Sequence, residues 1–296
     1  MKVKVICNPY ANRWRAHDQV PSLRAAFAGA GVECDLALTP APRAGMEIAF
    51  RAAQEGFDAV VAAGGDGTVS EVVNGLIRAA GPGPTVPLGV VPIGTGNDFG
   101  DMAGLPRAAD AAARVIAAGK TRQVDAGRVN DHYFDNNCAL AMEPMVTLEH
   151  MAMTHLSGNV RYVVAMLKCL LKLRAWQMEV AWDGGIFAGP TYLLSVCNSP
   201  RTGGVFHMAP PAELDDGLFD FVFAPEMPKW KVLTIVPRLF SGSHLQHALI
   251  RHGRTRRLTI HSEPGTPIHA DGELIARAAT HVEYEVLPGK ITLLVP

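Results

Sequence analysis

Asp66 stands among glycines in the run Gly64-Gly65-Asp66-Gly67-Thr68, a pattern that could hold a bulky anion and act on it. Glycines at this density are expected to take φ > 0 and to bring backbone N–H groups close to phosphate, with no Cβ in the way. A carboxylate beside phosphate is repulsive unless a divalent cation or a positioned hydroxyl proton lies between them. Asp66 therefore points to reaction as well as binding. A second turn, Pro92-Ile93-Gly94-Thr95-Gly96-Asn97-Asp98-Phe99, repeats the combination of Gly, Thr and Asp. A third candidate is Ala270-Asp271-Gly272-Glu273. On an extended segment its two carboxylates would point to one side, which could raise one pKa and favour base work. Read without any relatives, however, Asp-Gly is first of all the signal of a tight hairpin turn.

These residues need elements to carry them. The first glycine run follows the apolar stretch 57–63 and precedes 69–76, which reads as strand, turn, helix. Across the first 125 residues apolar runs alternate with alanine-rich stretches, predicting strands at 2–7, 33–38, 59–63 and 88–92 and helices near 20–30, 45–55, 69–80 and 107–118. That is the pattern of a parallel sheet covered by helices, and parallel strands present their carboxyl ends together, so both glycine turns belong at one edge. After Lys120 apolar and polar residues alternate. Strands are predicted at 121–129, 133–135, 177–182, 191–197, 218–223, 257–261, 268–270 and 282–287, a density typical of a β-sandwich. The expected organisation is an α/β domain over 1–122 and a mainly β-sandwich domain over 123–289. A helical insertion spans 147–174, with Val163, Val164, Leu167, Leu170 and Leu171 at helical spacing. A tail strand in 290–296 could pack in either domain.

Composition narrows the class. A chain of 296 residues with 48% hydrophobic and 19% charged residues suits a two-domain globular enzyme and excludes a disordered or fibrous one. The net charge of -1 gives no global drive toward nucleic acid, and any membrane contact must be local. Cys7, Cys34, Cys138, Cys169 and Cys197 are odd in number and lack metal-ligand spacing, so free thiols in a reducing cytoplasm are expected. The N-terminal run from Met1 to Pro9 reads as a strand and turn, not an export signal. The apolar stretch 162–173 is interrupted by Lys168 and Lys172 and is too short to span a bilayer. Eleven histidines show no metal-ligand pattern, and His269 reads as structural. Two basic clusters could meet anionic headgroups or simply be solvated faces: Arg251, Arg254, Arg256 and Arg257 near three histidines, and Arg161, Lys168, Lys172 and Arg174 beside an apolar helix.

The glycine run with Glu71 and Asn74, and the turn from Pro92 to Phe99, resemble the diacylglycerol kinase catalytic domain shared by diacylglycerol kinases, sphingosine kinases and soluble bacterial relatives. The similarity extends to Asn8-Pro9, Leu38-Thr39, Asn198, Gly203-Gly204, Pro210, Leu214-Asp215-Asp216-Gly217-Leu218-Phe219-Asp220 and Asp271-Gly272-Glu273. It implies an NAD kinase/diacylglycerol kinase-like α/β domain, a β-sandwich domain and an active site in the cleft. By resemblance ATP would be held by Asn8, Thr39, Gly64, Gly65, Asp66, Gly67, Thr68, Glu71, Gly94, Thr95, Gly96 and Asn97. Glu273 would accept the proton of a lipid hydroxyl, with Asp271 its neighbour and Asp66 a competing candidate within a metal and proton network. A structural Mg²⁺ would be bound by the Asp216 carboxylate and the carbonyls of Glu213 and Leu218, a loop that is otherwise a solvated turn; a second Mg²⁺ would come with ATP.

Two segments depart from the family pattern. After Asn8-Pro9 the family commonly carries Gly, whereas this chain has Tyr10-Ala11-Asn12-Arg13, in which Asn12 can visit φ > 0. In 134–144, on the implied acceptor side, Ala139 and Ala141 stand where glycines are usual and Glu143-Pro144 where Asp-Ala is usual. The expected protein is a cytoplasmic, ATP- and Mg²⁺-dependent lipid kinase acting on a diacylglycerol-like or sphingoid hydroxyl. It would meet its lipid peripherally at the inner face of the membrane, without nucleic acid, and a homodimer is left open. The rivals are an NAD kinase-like enzyme and a catalytically silent nucleotide- or lipid-binding regulator.

Overall fold

Short runs of Val and Ala, bounded by glycine or proline, form strands that can be buried on both faces. The structure, a computed structural model, describes residues 1–11, 16–153 and 158–296; the expectation for Asn12 lies outside them. The chain divides into two compact units, Met1–Ala126 with Pro288–Pro296, and Gly127–Leu287.

The first unit runs β1 (Lys2–Cys7), α1 (Val20–Gly29), β2 (Glu33–Leu38), α2 (Ala44–Gln54), β3 (Ala59–Gly64), α3 (Asp66–Ala80), β4 (Leu88–Pro92), α4 (Asp98–Met102), α5 (Ala109–Ala118) and β5 (Thr121–Val129), the last strand crossing the boundary. The sheet order is β4-β3-β1-β2, all parallel, and Leu293 of the C-terminal strand adds beside Leu88 of β4. Leu23, Phe27, Ala112, Ala113 and Ile116 from α1 and α5 share a core with Val3, Val5, Val61 and Val91. Helices α2 and α3 pack on each other and on β1 and β3. Gly75 permits the helix contact, because a Cβ there would lie 2.8 Å from that of Ala49. Helix α3 begins three residues earlier than the apolar pattern predicts, since the glycine run itself enters the first turn and Asp66 is favoured there by the helix dipole.

The second unit contains β6 (His132–Phe134), β7 (Asn137–Ala141), α6 (Met142–Ala152), α7 (Gly158–Leu171), β8 (Trp176–Trp182), β9 (Gly185–Cys197), β10 (Phe219–Pro225), α8 (Lys229–Ile235), β11 (Arg251–Thr255), β12 (Arg257–Ala270) and the start of β13 (Glu273–Leu294). Strands β9 and β12 are long enough to pair with both β7 and β8 along their lengths. Residues 185–191 of β9 and 258–262 of β12 pair with β8, while 193–197 and 268–270 pair with β7. This β-sandwich encloses Phe134, Phe219, Phe221, Phe223, Leu258, Val282 and Tyr284. The strands predicted separately at 257–261 and 268–270 are one strand. Its pairing with β13 shifts register between His261 and Thr266, where Glu263-Pro264-Gly265 masks the continuity in the sequence. The tail strand is likewise the end of β13, and its residues from Pro288 onward belong to the first unit.

Helix α7 buries only part of the expected stripe. Leu170 and Val163 pack in the core with Ala165, Met166, Cys169, Val146 and Phe206, whereas Leu167 and Leu171 lie exposed. An apolar helix with two apolar sides carries no single periodic signature to say which is inside. Strands β7 and β11 and helix α8 have no counterpart among the predicted elements, and α6 only in its second half, where the predicted insertion begins at 147.

Candidate active site

Four neighbouring strand ends come into line in the first unit. The register pairs Leu38 with Cys7, Cys7 with Ala63, and Gly64 with Pro92. The next residues along these strands are Thr39, Asn8, Gly65 and Ile93, so the predicted ATP residues fall at one edge of one sheet. The Thr39 N–H donates to Cys7 O at 2.9 Å and the Asn8 N–H to Ala63 O at 3.2 Å, carrying the ladder to that edge. Asn8 Oδ1 then accepts the Tyr10 N–H at 3.0 Å and sets the following turn.

Asp66 locks the two glycine turns together. Its Oδ2 accepts the Asn97 N–H at 2.8 Å and its Oδ1 the Phe99 N–H at 3.2 Å. Asn97 in turn accepts the Gly94 N–H through Oδ1 at 3.0 Å and donates Nδ2 to Gly94 O at 2.9 Å. The N–H groups of Ile93 and Gly94 both reach Gly64 O. None of Gly64, Gly65, Gly67, Gly94 and Gly96 has positive φ, contrary to expectation; the left-handed residue is Asn97, at φ 67°. These glycines serve close approach instead. A Cβ on Gly96 would lie 2.5 Å from Asp66 Oδ2, and one on Gly65 3.2 Å from Gly94 Cα. Helix α3 opens on this edge with no side-chain cap at Gly65, which suits its first N–H groups to an anion. Thr95 is exposed, Gly67 half-buried and Thr68 buried.

Glu71 occupies a different place in the same neighbourhood. Its Oε1 accepts the Arg43 N–H at 2.9 Å and its Oε2 the Gly45 N–H at 2.8 Å, so it holds the N-terminus of α2 against α3. Arg43 there has φ 68°.

In the second unit, Asp271-Gly272 is a two-residue turn between β12 and β13, with Ala270 paired to Glu273 and φ of 47° and 81°. The hairpin reading of the sequence is thus correct and the extended one is not. Residues in left-handed turn geometry do not alternate as in a strand, so Asp271 and Glu273 do not share a face in the way an extended segment requires. The Asp271 carboxylate instead accepts the N–H groups of Asp135, Asn136 and Asn137, each at 3.0 Å. It pins the turn to the loop leading into β7. His269 braces the other side, its Nδ1 accepting the Gly272 N–H at 3.1 Å. Glu273 follows directly, half-buried at the start of β13.

The loop expected to bind a structural Mg²⁺ is arranged otherwise. Asp216 Oδ1 accepts the Leu218 N–H at 3.0 Å, and Oδ2 is ion-paired with the Arg254 guanidinium. Arg254 also reaches Asp220 Oδ2 at 3.4 Å. The cation on this carboxylate is therefore an arginine from β11, in the place expected for the metal. The same pairing removes Arg254 from the basic cluster expected to meet headgroups, and Arg257 is committed to Glu285 at 2.8 Å. Burial, with Glu213 nearby, pushes the Asp220 carboxyl up to about 6.

The five cysteines are free, and all but Cys34 are buried. Desolvation raises Cys7 and Cys169 to about 11 and pushes Cys138 and Cys197 further up, so these thiols stay protonated and inert.

Both halves of the chain are similar to known proteins. Residues 2–129 match the diacylglycerol kinase catalytic domain, and residues 140–295 match the YegS C-terminal NAD kinase beta sandwich-like domain. A diacylglycerol kinase of Bacillus subtilis (strain 168) is 30% identical over 274 residues, covering 92% of this chain and 89% of that one. A diacylglycerol kinase of Staphylococcus aureus (strain bovine RF122 / ET3-1) is 28% identical over 92% of this chain and 86% of its own. The fold matches a crystal structure of a diacylglycerol kinase from Bacillus anthracis str. Sterne with a TM-score of 0.74 at 23% identity, covering 100% of this chain and 97% of that chain. With both domains matched and a relative this similar over nearly its whole length, the chain belongs to the diacylglycerol kinase family.

Proposed function

We propose that this protein transfers the γ-phosphoryl group of ATP to the free hydroxyl of a diacylglycerol-like lipid. The observation that carries the reading is the Asp66 clamp, which fixes two phosphate-type turns side by side at the edge where Asn8 and Thr39 also end their strands. The names of the relatives in B. subtilis and S. aureus favour diacylglycerol over a sphingoid acceptor.

Phosphoryl transfer asks mainly for positioning and charge stabilisation. The N–H groups at the opening of α3 and in the 94–97 turn would hold the phosphates. Asp66, with each oxygen accepting an N–H, would act by shaping those turns rather than as the base. Glu273 would accept the proton of the lipid hydroxyl as its oxygen bonds to phosphorus and the bond to ADP breaks. Mg²⁺ brought with ATP supplies neutralisation of the charge developing on the phosphates. Among the described residues no group of three or more His, Cys, Asp or Glu side chains is arranged to hold a metal ion.

The lipid would be met at a membrane surface through α7 and α8. No helix among the described residues is long and apolar enough to cross a bilayer. Val160, Leu167 and Leu171 of α7 and Trp230 and Leu233 of α8 are nevertheless exposed, Leu171 by 83%. Their buried sides share one cluster through Met166, Leu170 and Val232. Residues 158–176 and 227–250 carry seven Lys or Arg and no Asp or Glu, in a chain whose net charge is -1. Apolar side chains ringed by bases suit an anionic lipid surface.

The test is to incubate the purified protein with Mg²⁺ and isotope-labelled ATP over a total lipid extract and to identify labelled lipids by mass spectrometry. A labelled diacylglycerol phosphomonoester is expected. Labelling of no lipid overturns the proposal, and labelling of NAD supplied in a parallel reaction would favour the NAD kinase reading. Glu273→Gln should lose turnover while still binding ATP; a silent binder would show no turnover in either protein.

A further inference from the structure

Glu143 and His269 form a buried pair beside the hairpin that carries Glu273. Their exposures are 4% and 2%, and Glu143 Oε1 lies 3.6 Å from His269 Nε2. The histidine tautomer follows from its other contact. Nδ1 faces the Gly272 N–H at 3.1 Å, and an N–H can only donate, so Nδ1 offers its lone pair. In the neutral ring the proton is then on Nε2 and directed at the carboxylate. Neither His269 Nε2 nor Glu143 Oε2 has a hydrogen-bond partner among the described residues. A buried donor without a partner, 3.6 Å from Oε1 of a buried carboxylate whose second oxygen is also unsatisfied, has strong reason to close on it.

Glu143 also touches the second anchor of the turn. Its Oε1 accepts Asn137 Nδ2 at 2.8 Å, and the Asn137 N–H is one of the three donated to Asp271. One carboxylate in the first turn of α6 thus supports both legs of the hairpin, through His269 to Gly272 and through Asn137 to Asp271. We infer that Glu143 and His269 are positioning residues for Glu273, holding its hairpin in the geometry needed for proton transfer. The inference rests on Glu273 as the base.

Substitution separates the two ring nitrogens. His269→Asn places an amide oxygen near Nδ1 and can keep the Gly272 contact; His269→Gln reaches toward Nε2 and loses it. With ATP and dispersed diacylglycerol, His269→Gln should lower kcat by about 10- to 100-fold, the scale of a misplaced reacting group, with the KM for ATP unchanged. His269→Asn should restore most of that loss. Glu143→Ala should lower kcat similarly, and less than additively when combined with His269→Gln. Added to Glu273→Gln, His269→Gln should cost nothing further. Equal losses in the Asn and Gln variants, or a further loss on top of Glu273→Gln, would overturn the positioning role. Full activity of Glu273→Gln alone would instead remove the base assignment. Long-range ¹H–¹⁵N correlation of His269 in the wild type tests the pair without reference to activity: an Nε2–H ring perturbed by Glu143→Gln is expected, and an Nδ1–H ring refutes it.

Discussion

Gly94 and Gly65 approach so closely that a Cβ on Gly94 would lie 2.7 Å from the Gly65 nitrogen. The two phosphate-type turns are thus in backbone contact, and the Asp66 hydrogen bonds to Asn97 and Phe99 hold them there. Gly94→Ala must part them. Overpacking of this kind costs about 1–3 kcal/mol. Thermal melts should show that loss, and ATP affinity by titration calorimetry should fall more than tenfold. An alanine variant that melts and binds as wild type would show that the contact is not needed.

Asp271 and Glu273 are two residues apart and should behave differently. Asp271 accepts three backbone N–H groups, so Asp271→Ala leaves buried donors without an acceptor. A loss of about 2–4 kcal/mol is expected from charge-assisted bonds of this type. Urea denaturation should register it. Glu273→Gln should leave the urea midpoint within experimental scatter while turnover falls by about 10²-fold or more, the contribution of a general base. Comparable destabilisation in both variants would place Glu273 among the structural residues as well.

Much of this was legible in the sequence for a definite reason. The strands at 2–7, 33–38 and 88–92 are short, apolar and punctuated by Gly, Pro or polar residues, and the structure forms them over those same residues. The two glycine turns announce themselves because close backbone approach admits only glycine at Gly94 and leaves little room for a Cβ at Gly65. What stayed hidden depends on partners distant in sequence. Nothing local in Glu71 says that it caps α2, and nothing in Asp271 says that its donors are the amides of 135–137. Arg254 appears in the sequence as one of a basic cluster, and only the pairing of β10 with β11 brings it to Asp216 and Asp220. The sidedness of α7 was ambiguous because both its faces are apolar.

Asp220 should give the second unit a measurable dependence on pH. Burial is the main cause that raises its carboxyl from 3.8 to about 6, and Glu213 adds to it. A raised carboxyl binds its proton more tightly in the folded state, so its stabilising contribution is complete below the unfolded value near 4 and is lost as pH rises through about 6. The difference amounts to about 2–3 kcal/mol at most, reduced by the Arg254 guanidinium at 3.4 Å. Asp220→Asn removes the titration. The variant should be more stable than wild type at pH 7.5 and no more stable at pH 4, as read from urea midpoints at the two values. A variant less stable at pH 7.5 would mean that the Arg254 pairing outweighs the cost of burying the charge.

Leu171 and Trp230 test the membrane face, since both are more than 60% exposed and neither supports the core. Replacing an exposed leucine by glutamate costs the fold little, because surface substitutions away from special features usually stay within about 0.5 kcal/mol. At a lipid surface the same change removes apolar insertion and adds repulsion from anionic headgroups. Leu171→Glu with Trp230→Ala should therefore float poorly with vesicles containing anionic phospholipid, while melting like wild type. Turnover should fall on diacylglycerol held in those vesicles and stay unchanged on a short-chain diacylglycerol dissolved below its micelle concentration. Losing activity equally on both substrates would point to damage at the site itself. Undiminished flotation would move the docking surface elsewhere on the molecule.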